Sequence, residues 1–110
     1  MRFDIITIFP EIFDSYFRES LLERARKKKL IDIRVHNLRI WANDSHKTVD
    51  DKPFGGGLGM VIKLEPVYKA VRELKEKRAK SKVTLFTPRG KKFNQRKAQE
   101  YAKLGQLIMI

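Results

Sequence analysis

"FDIITIFP", residues 3–10, joins a run of β-branched and aromatic side chains to a proline. A near-continuous apolar run is the pattern of a strand buried on both faces, since a strand with one wet face alternates instead. Pro10 ends it. Beyond the proline the period changes: Ile12, Phe13, Tyr16, Phe17, Leu21 and Ala25 recur three and four positions apart. That spacing predicts an amphipathic helix from Glu11 to about Lys28, acidic early and basic late, as the helix dipole prefers.

The same alternation of periods continues. "LIDIRVHNL", residues 30–38, sets Ile31, Ile33 and Val35 against Asp32, Arg34 and His36, a second strand nearer the sheet edge. From Arg39 to about Lys63 no periodicity survives, and so long an irregular stretch in a small domain points to function or mobility. Helical spacing resumes in "LEPVYKAVRELKEKRAK", residues 64–80, through Val67, Ala70, Val71 and Leu74, with Pro66 where a first turn tolerates it. "KVTLFTP", residues 82–88, reads as a third strand closed by a Thr-Pro-Arg-Gly turn. Asn94 can cap a short helix through about Lys103, Gly105 stops it, and "QLIMI", residues 106–110, is a fourth strand. Strands alternating with helices define an α/β fold, a parallel sheet with flanking helices and right-handed crossovers.

The sequence stops inside that last strand. Ligands of parallel α/β sheets sit in the loops after the strands' carboxyl ends. The expectation is therefore one incomplete α/β domain over residues 1–110, its carboxyl-terminal part missing and its last strand unsupported on one side.

Composition narrows the function. The chain has 110 residues, no cysteine and a formal net charge of +12. A disulfide scaffold and a thiolate zinc site are excluded, and a cytoplasmic location is expected. No segment reaches the ~20 apolar residues of a membrane span. Asp4, Glu11 and Asp14 interrupt what would be a uniformly apolar leader. The basic residues cluster in "RARKKK" (residues 24–29), "KEKRAKSK" (75–82) and "RGKKFNQRK" (89–97). Singly such runs are solvated helix ends; three with little compensating acid favour a polyanion, RNA or DNA.

"VDDKPFGGGLGM", residues 49–60, holds four of the six glycines. It fits neither a Walker loop, for want of a lysine after the second glycine, nor the dinucleotide fingerprint, which needs a third glycine where Met60 stands. What remains is either a lid without chemistry or a backbone able to approach a planar ligand closely. Asp50 and Asp51 could bind magnesium or a base edge, or serve as turn-formers paired with Lys47 and Lys52. His46 has no second histidine at ligand spacing, so no metal site is assigned, and His36 on its strand reads as structural. No Ser-His-Asp or Cys-His set is legible. "LFTPRGKKF", residues 85–93, follows a strand and is either a small-ligand site or a plain turn with solvated bases.

Taken together, "FDIITIFPEIF", "HKTVDDKPFGGGLGM" and "TPRGKKFNQ", in this order, closely resemble the bacterial tRNA (guanine-N1)-methyltransferase family, of the knotted SPOUT class, over essentially the whole chain. Departures are Ile40, where an acid is expected, and Leu58 and Leu64, where proline is usual. The resemblance implies a trefoil-knotted, homodimeric methyltransferase. It would use S-adenosylmethionine to methylate N1 of the guanine 3′ of the anticodon, position 37, in tRNA. It implies that Leu85, Phe86, Thr87, Pro88, Arg89 and Gly90 form one wall of the methyl-donor pocket. Asp50, Asp51, Lys52, Gly55, Gly56, Gly57 and Gly59 would lie by the target guanine. The knot and a general-base aspartate are expected beyond Ile110, so no catalytic residue is assigned and the fragment alone is expected to be inactive. The alternative is a non-catalytic basic α/β module that binds RNA.

Overall fold

The apolar run forms strand β1, Arg2–Thr7, whose central Asp4, Ile5 and Ile6 are all buried. Burial of three consecutive residues covers both faces of the strand, as the unbroken apolar pattern requires. Around β1 a computed structural model, describing residues 1–53 and 59–110, places β2 (Asp32–Asn37), β5 (Ser81–Thr84) and β6 (Gln106–Met109). The sheet runs β2-β1-β6-β5 and every pair is parallel. Phe3 sits beside Ile33 on one flank and Leu107 on the other.

The expectation of an unsupported last strand is wrong. β6 lies inside the sheet between β1 and β5, and pairing continues past it through Ile110 N–H to Thr84 O at 3.0 Å and Phe86 N–H to Ile110 O at 2.9 Å. The edges are β2 and β5.

Side chains alternate across the pleat, so Ile6, Ile8, Ile108 and Ile110 share one face. That face carries the main core, completed by Leu38, Trp41, Ala42 and Val49 and by Val67, Ala70, Val71 and Leu74 of helix α2, Leu64–Leu74. Phe3, Leu107 and Met109 point to the other face, where helix α3, Gln95–Tyr101, contributes buried Tyr101. Asn94 caps α3 as expected, its side chain accepting Lys97 N–H at 2.9 Å.

Three expected elements are shorter than their apolar period. The helix over 11–28 is instead two 3₁₀ turns, Pro10–Phe13 and Tyr16–Arg18, followed by α1, Ser20–Lys27. Glu19 is extended and Ser20 takes φ 49°, which breaks the winding. Phe13 stacks on Phe17 at 5.5 Å, and Arg26 Nη1 donates to Phe17 O at 3.0 Å, so the turns close on themselves. The helix from Leu64 ends at Leu74 rather than Lys80. There Gln106 Nε2 donates to Leu74 O at 2.7 Å while its Oε1 accepts Glu76 N–H at 3.0 Å. One side-chain amide thus stands in for the next helical turn. β5 ends at Thr84, with one further bond from Phe86 N–H to Ile110 O before the Thr-Pro-Arg-Gly turn begins.

The stretch from Arg39 to Lys63 is not wholly irregular. A 3₁₀ turn covers Leu38–Trp41, and β3 (Asp50–Asp51) pairs antiparallel with β4 (Val61–Ile62). Among the described residues no helix is long and apolar enough to cross a membrane.

Candidate functional site

All four strands of the sheet run the same way, so the segments after β2 and β5 emerge at one end, where ligands of such sheets bind. β2 and β5 are opposite edges, three strand spacings or roughly 14 Å apart. Of the two loops singled out by sequence, 85–93 directly follows β5 at that rim, whereas 49–60 is separated from β2 by the turn Leu38–Trp41 and the residues after it.

On the β5 side, Thr87 O accepts Gly90 N–H at 2.9 Å, closing the turn. A Cβ on Gly90 would stand 3.1 Å from Thr87 O, so a side chain there crowds the turn. Leu85, Phe86, Thr87, Pro88 and Gly90 line a groove of about 1220 Å³. Arg89 does not line it, in contrast to the rest of the segment. The groove continues along the sheet over Phe3, Leu107 and Met109 to Leu30 and Ile31. Ligand pockets hold roughly 300–1,000 Å³, so a small molecule fills only part of this space. The strand-end part has the chemistry to bind one: Phe86 and Phe93 are exposed aromatic faces, and Lys91, Lys92 and Lys97 stand around it. Thr84, also in the lining, has a buried hydroxyl with no hydrogen-bond partner among the described residues. That hydroxyl is closed off from the groove's open space.

Sequence alone did not pick out Thr84 or Tyr101, and it read Phe93 only as the end of the stretch 85–93 and Lys97 only as part of a basic run. Lys97 and Tyr101 stand one helical turn apart, the available signal. The Tyr101 ring lies under two ammonium groups, Lys82 at 4.8 Å and Lys97 at 6.0 Å.

On the β2 side, Asp50 and Asp51 belong to a hairpin that carries the glycine run. Its base is fixed: Val49 is fully buried in the core and its carbonyl accepts Lys63 N–H at 2.7 Å. Asp50 is half-buried, Asp51 and Lys52 are exposed, and Asp51 Oδ1 accepts Lys52 N–H at 2.8 Å. Among the described residues neither Asp50 nor Asp51 pairs with Lys47 or Lys52. The turn-forming carboxylate is Asp44 instead, which accepts Thr48 N–H at 2.7 Å; hydrogen bonding from the Thr48 side chain first, then from that N–H, holds its carboxyl below the usual range. Both hairpin acids thus keep acceptor capacity toward a partner. Gly59 takes φ +85°, a backbone angle other residues reach only under strain. Gly55, Gly56 and Gly57 lie outside the described residues.

Sequence also passed over a buried polar cluster at the other end of the sheet. Asp4 Oδ1 lies 2.8 Å from His36 Nε2 and accepts Arg2 Nη2 at 2.9 Å, while Oδ2 accepts Gln106 Nε2 at 2.7 Å. His36 is thereby a structural strand residue, as expected.

A parallel α/β sheet with a partly apolar groove at the carboxyl end of one edge strand defines an α/β domain of the class whose ligands bind beyond the strand ends. The model of the family described as tRNA (Guanine-1)-methyltransferase TrmD matches residues 1–110, and the chain belongs to that family. It is 51% identical over 110 residues to the tRNA (guanine-N(1)-)-methyltransferase of Dictyoglomus turgidum and 47% identical over 110 residues to that of Geobacter sp. strain M21. In both, 100% of this chain aligns with 44% of the relative. The chain thus spans less than half the length of these curated relatives.

Proposed function

We propose that this chain is part of an enzyme that transfers a methyl group from S-adenosylmethionine to N1 of the guanine 3′ of the anticodon in tRNA, acting in the cytoplasm as a homodimer. One observation carries the reading. The segment Leu85–Pro88, with Gly90, lines a groove at the carboxyl end of β5 in a chain matched end to end by the family. That groove has a ligand-compatible feature, the exposed Phe86 ring, suited to a planar adenine. The methyl donor, when bound, supplies an electron-poor methyl on sulfur. The chain's part is to hold it: Leu85, Phe86, Thr87, Pro88 and Gly90 as a wall, with the Arg89 side chain outside. Asp50, Asp51 and Lys52, with Gly55, Gly56, Gly57 and Gly59, serve the guanine. A carboxylate accepts from the N1 imino and 2-amino groups of that base, while the glycines permit close backbone approach. Catalysis is then mainly alignment of the methyl with N1, plus removal of the N1 proton.

No residue of these 110 is proposed as the base. Because the chain spans 44% of its relatives, transfer by these residues alone is expected to be absent. The test is a methyl-transfer assay with an unmodified tRNA transcript, comparing the 110-residue chain with the protein from the complete reading frame containing it. Transfer by the longer protein but not the shorter supports the reading. Binding of tRNA without transfer by the longer protein supports the alternative of a non-catalytic RNA-binding module.

A further inference from the structure

Helix α3 is a ridge between two grooves. On one flank Lys97, Ala98 and Tyr101 face the apolar groove; on the other Arg96, Gln99, Glu100 and Lys103 face a second one of about 620 Å³, closed by Lys80, Ser81 and Lys82 at the start of β5. Four cations and one carboxylate line this second groove. The carboxylate is already engaged: Glu100 Oε1 lies 3.1 Å from Lys82 Nζ, and Lys82 in turn sits over the Tyr101 ring. Lys80, Arg96 and Lys103 have no ion-pair partner among the described residues and are exposed. Three unneutralised cations around one concavity repel each other unless an anion shares the space.

We infer that this groove seats the phosphate backbone of the tRNA, with Lys80, Arg96 and Lys103 each facing a phosphate. The inference rests on the proposed tRNA-methylating function and adds where on this chain the RNA lies. Concavity and the Lys82–Glu100 pair set this patch, which draws on the runs 75–82 and 89–97, apart from the run 24–29 at the exposed end of α1. An acidic protein segment would meet the same charges. The chain's net charge of +12 and its family membership favour RNA.

The test uses the protein from the complete reading frame and an unmodified tRNA transcript, with binding measured across a salt series. Lys80→Gln, Arg96→Gln and Lys103→Gln together should weaken binding at least tenfold at moderate salt. The slope of log K against log salt should fall by about 2, since each lost phosphate contact removes roughly 0.7–0.9. S-adenosylmethionine affinity should be unchanged, which reports an intact fold. The matched control is Arg24→Gln, Lys27→Gln and Lys28→Gln. Equal losses in both triple variants would reduce the effect to net charge and overturn the assignment, as would parent-like binding by the groove variant. If the groove triple loses donor binding as well, Lys103→Glu alone replaces it, with weaker binding and a slope reduced by roughly 0.7–0.9 expected and parent-like binding overturning the assignment. A parent protein that does not bind tRNA at all would remove the proposed function itself.

Discussion

The side-chain amide of Gln106 donates to the buried carboxylate of Asp4 at 2.7 Å, joining residues 102 positions apart. The same carboxylate meets Arg2 and His36, and Arg2 also pairs with Glu76 beyond the end of α2. One acid therefore links β2, β1 and β6. Removing one partner of a buried charged cluster leaves the others unpaired, at about 3–5 kcal/mol when fully buried. With Arg2 only partly buried, Asp4→Ala is expected to lose about 3 kcal/mol in urea unfolding and Asp4→Asn less. A loss under ~1 kcal/mol for Asp4→Ala would show the cluster to be incidental.

Burial pushes the Asp4 carboxyl up, but hydrogen bonds from Arg2, Gln106 and His36 together outweigh it and hold it below the usual range. A carboxyl depressed in the folded state stabilises above its unfolded value, near ~3.9, and loses that contribution as pH falls through the folded value. Stability should thus drop on acidification below about pH 4, and Asp4→Ala should flatten that limb. Unfolding midpoints in a pH series read it. Exposed Asp44, Glu65 and Glu100 are also depressed, each mainly by a side-chain hydrogen bond, and leave a shallow residual slope.

Helix α1 ends in a Schellman turn, Leu30 N–H to Ala25 O at 3.0 Å and Lys29 N–H to Arg26 O at 2.9 Å, with Lys29 at φ 56° where glycine is usual. Left-handed backbone costs a side-chain-bearing residue about 1–2 kcal/mol, partly offset by the extra freedom glycine gives the unfolded chain. Lys29→Gly should therefore stabilise by up to about 1 kcal/mol in chemical denaturation. Destabilisation would mean that the lysine stem contributes packing of its own.

Thr84→Val keeps the shape of the groove lining and removes the unpaired hydroxyl. Stability is expected to stay level or rise, since no hydrogen bond among the described residues is lost. The hydroxyl is closed off from the groove, so affinity for S-adenosylmethionine should stay near the parent's. Thermal melts read the first and calorimetric titration the second; a severalfold loss of affinity would show that the hydroxyl reaches the ligand.

In the protein from the complete reading frame, Gly56→Val and Gly57→Val should abolish methyl transfer while circular dichroism and melting stay near the parent's. The hairpin base at Val49 and Lys63 is far enough in sequence to hold without the glycines. Retained activity would leave the loop as a mere connection between β3 and β4.

Local signals carried much of this fold. The apolar run of β1, the Asn94 cap and the alternation of β2 are each set by residues within a few positions of one another. What escaped depended on partners far along the chain. Nothing near Leu74 says that its helix stops there, because the terminating amide belongs to Gln106. The break at Glu19 and Ser20 was hidden because the apolar period runs through it unbroken. The two-residue strands carrying Asp50 and Asp51 are too short to show alternation. Of the candidate site, Leu85–Gly90 was found by its place after a strand. Thr84 and Tyr101 join it only once the sheet and α3 are docked.

The central position of β6 also orders events in time. β1 is made first and has β2 beside it early, but its other neighbour, Gln106–Met109, follows only after β5. Until then β5 has no strand to pair with, and the apolar flank of β1 stays open. Closure of such a distant contact is slow relative to local helix and hairpin formation. The part of the rim that carries Leu85–Gly90 therefore joins β1 and β2 in a single step, when β6 slots in and links both halves of the sheet.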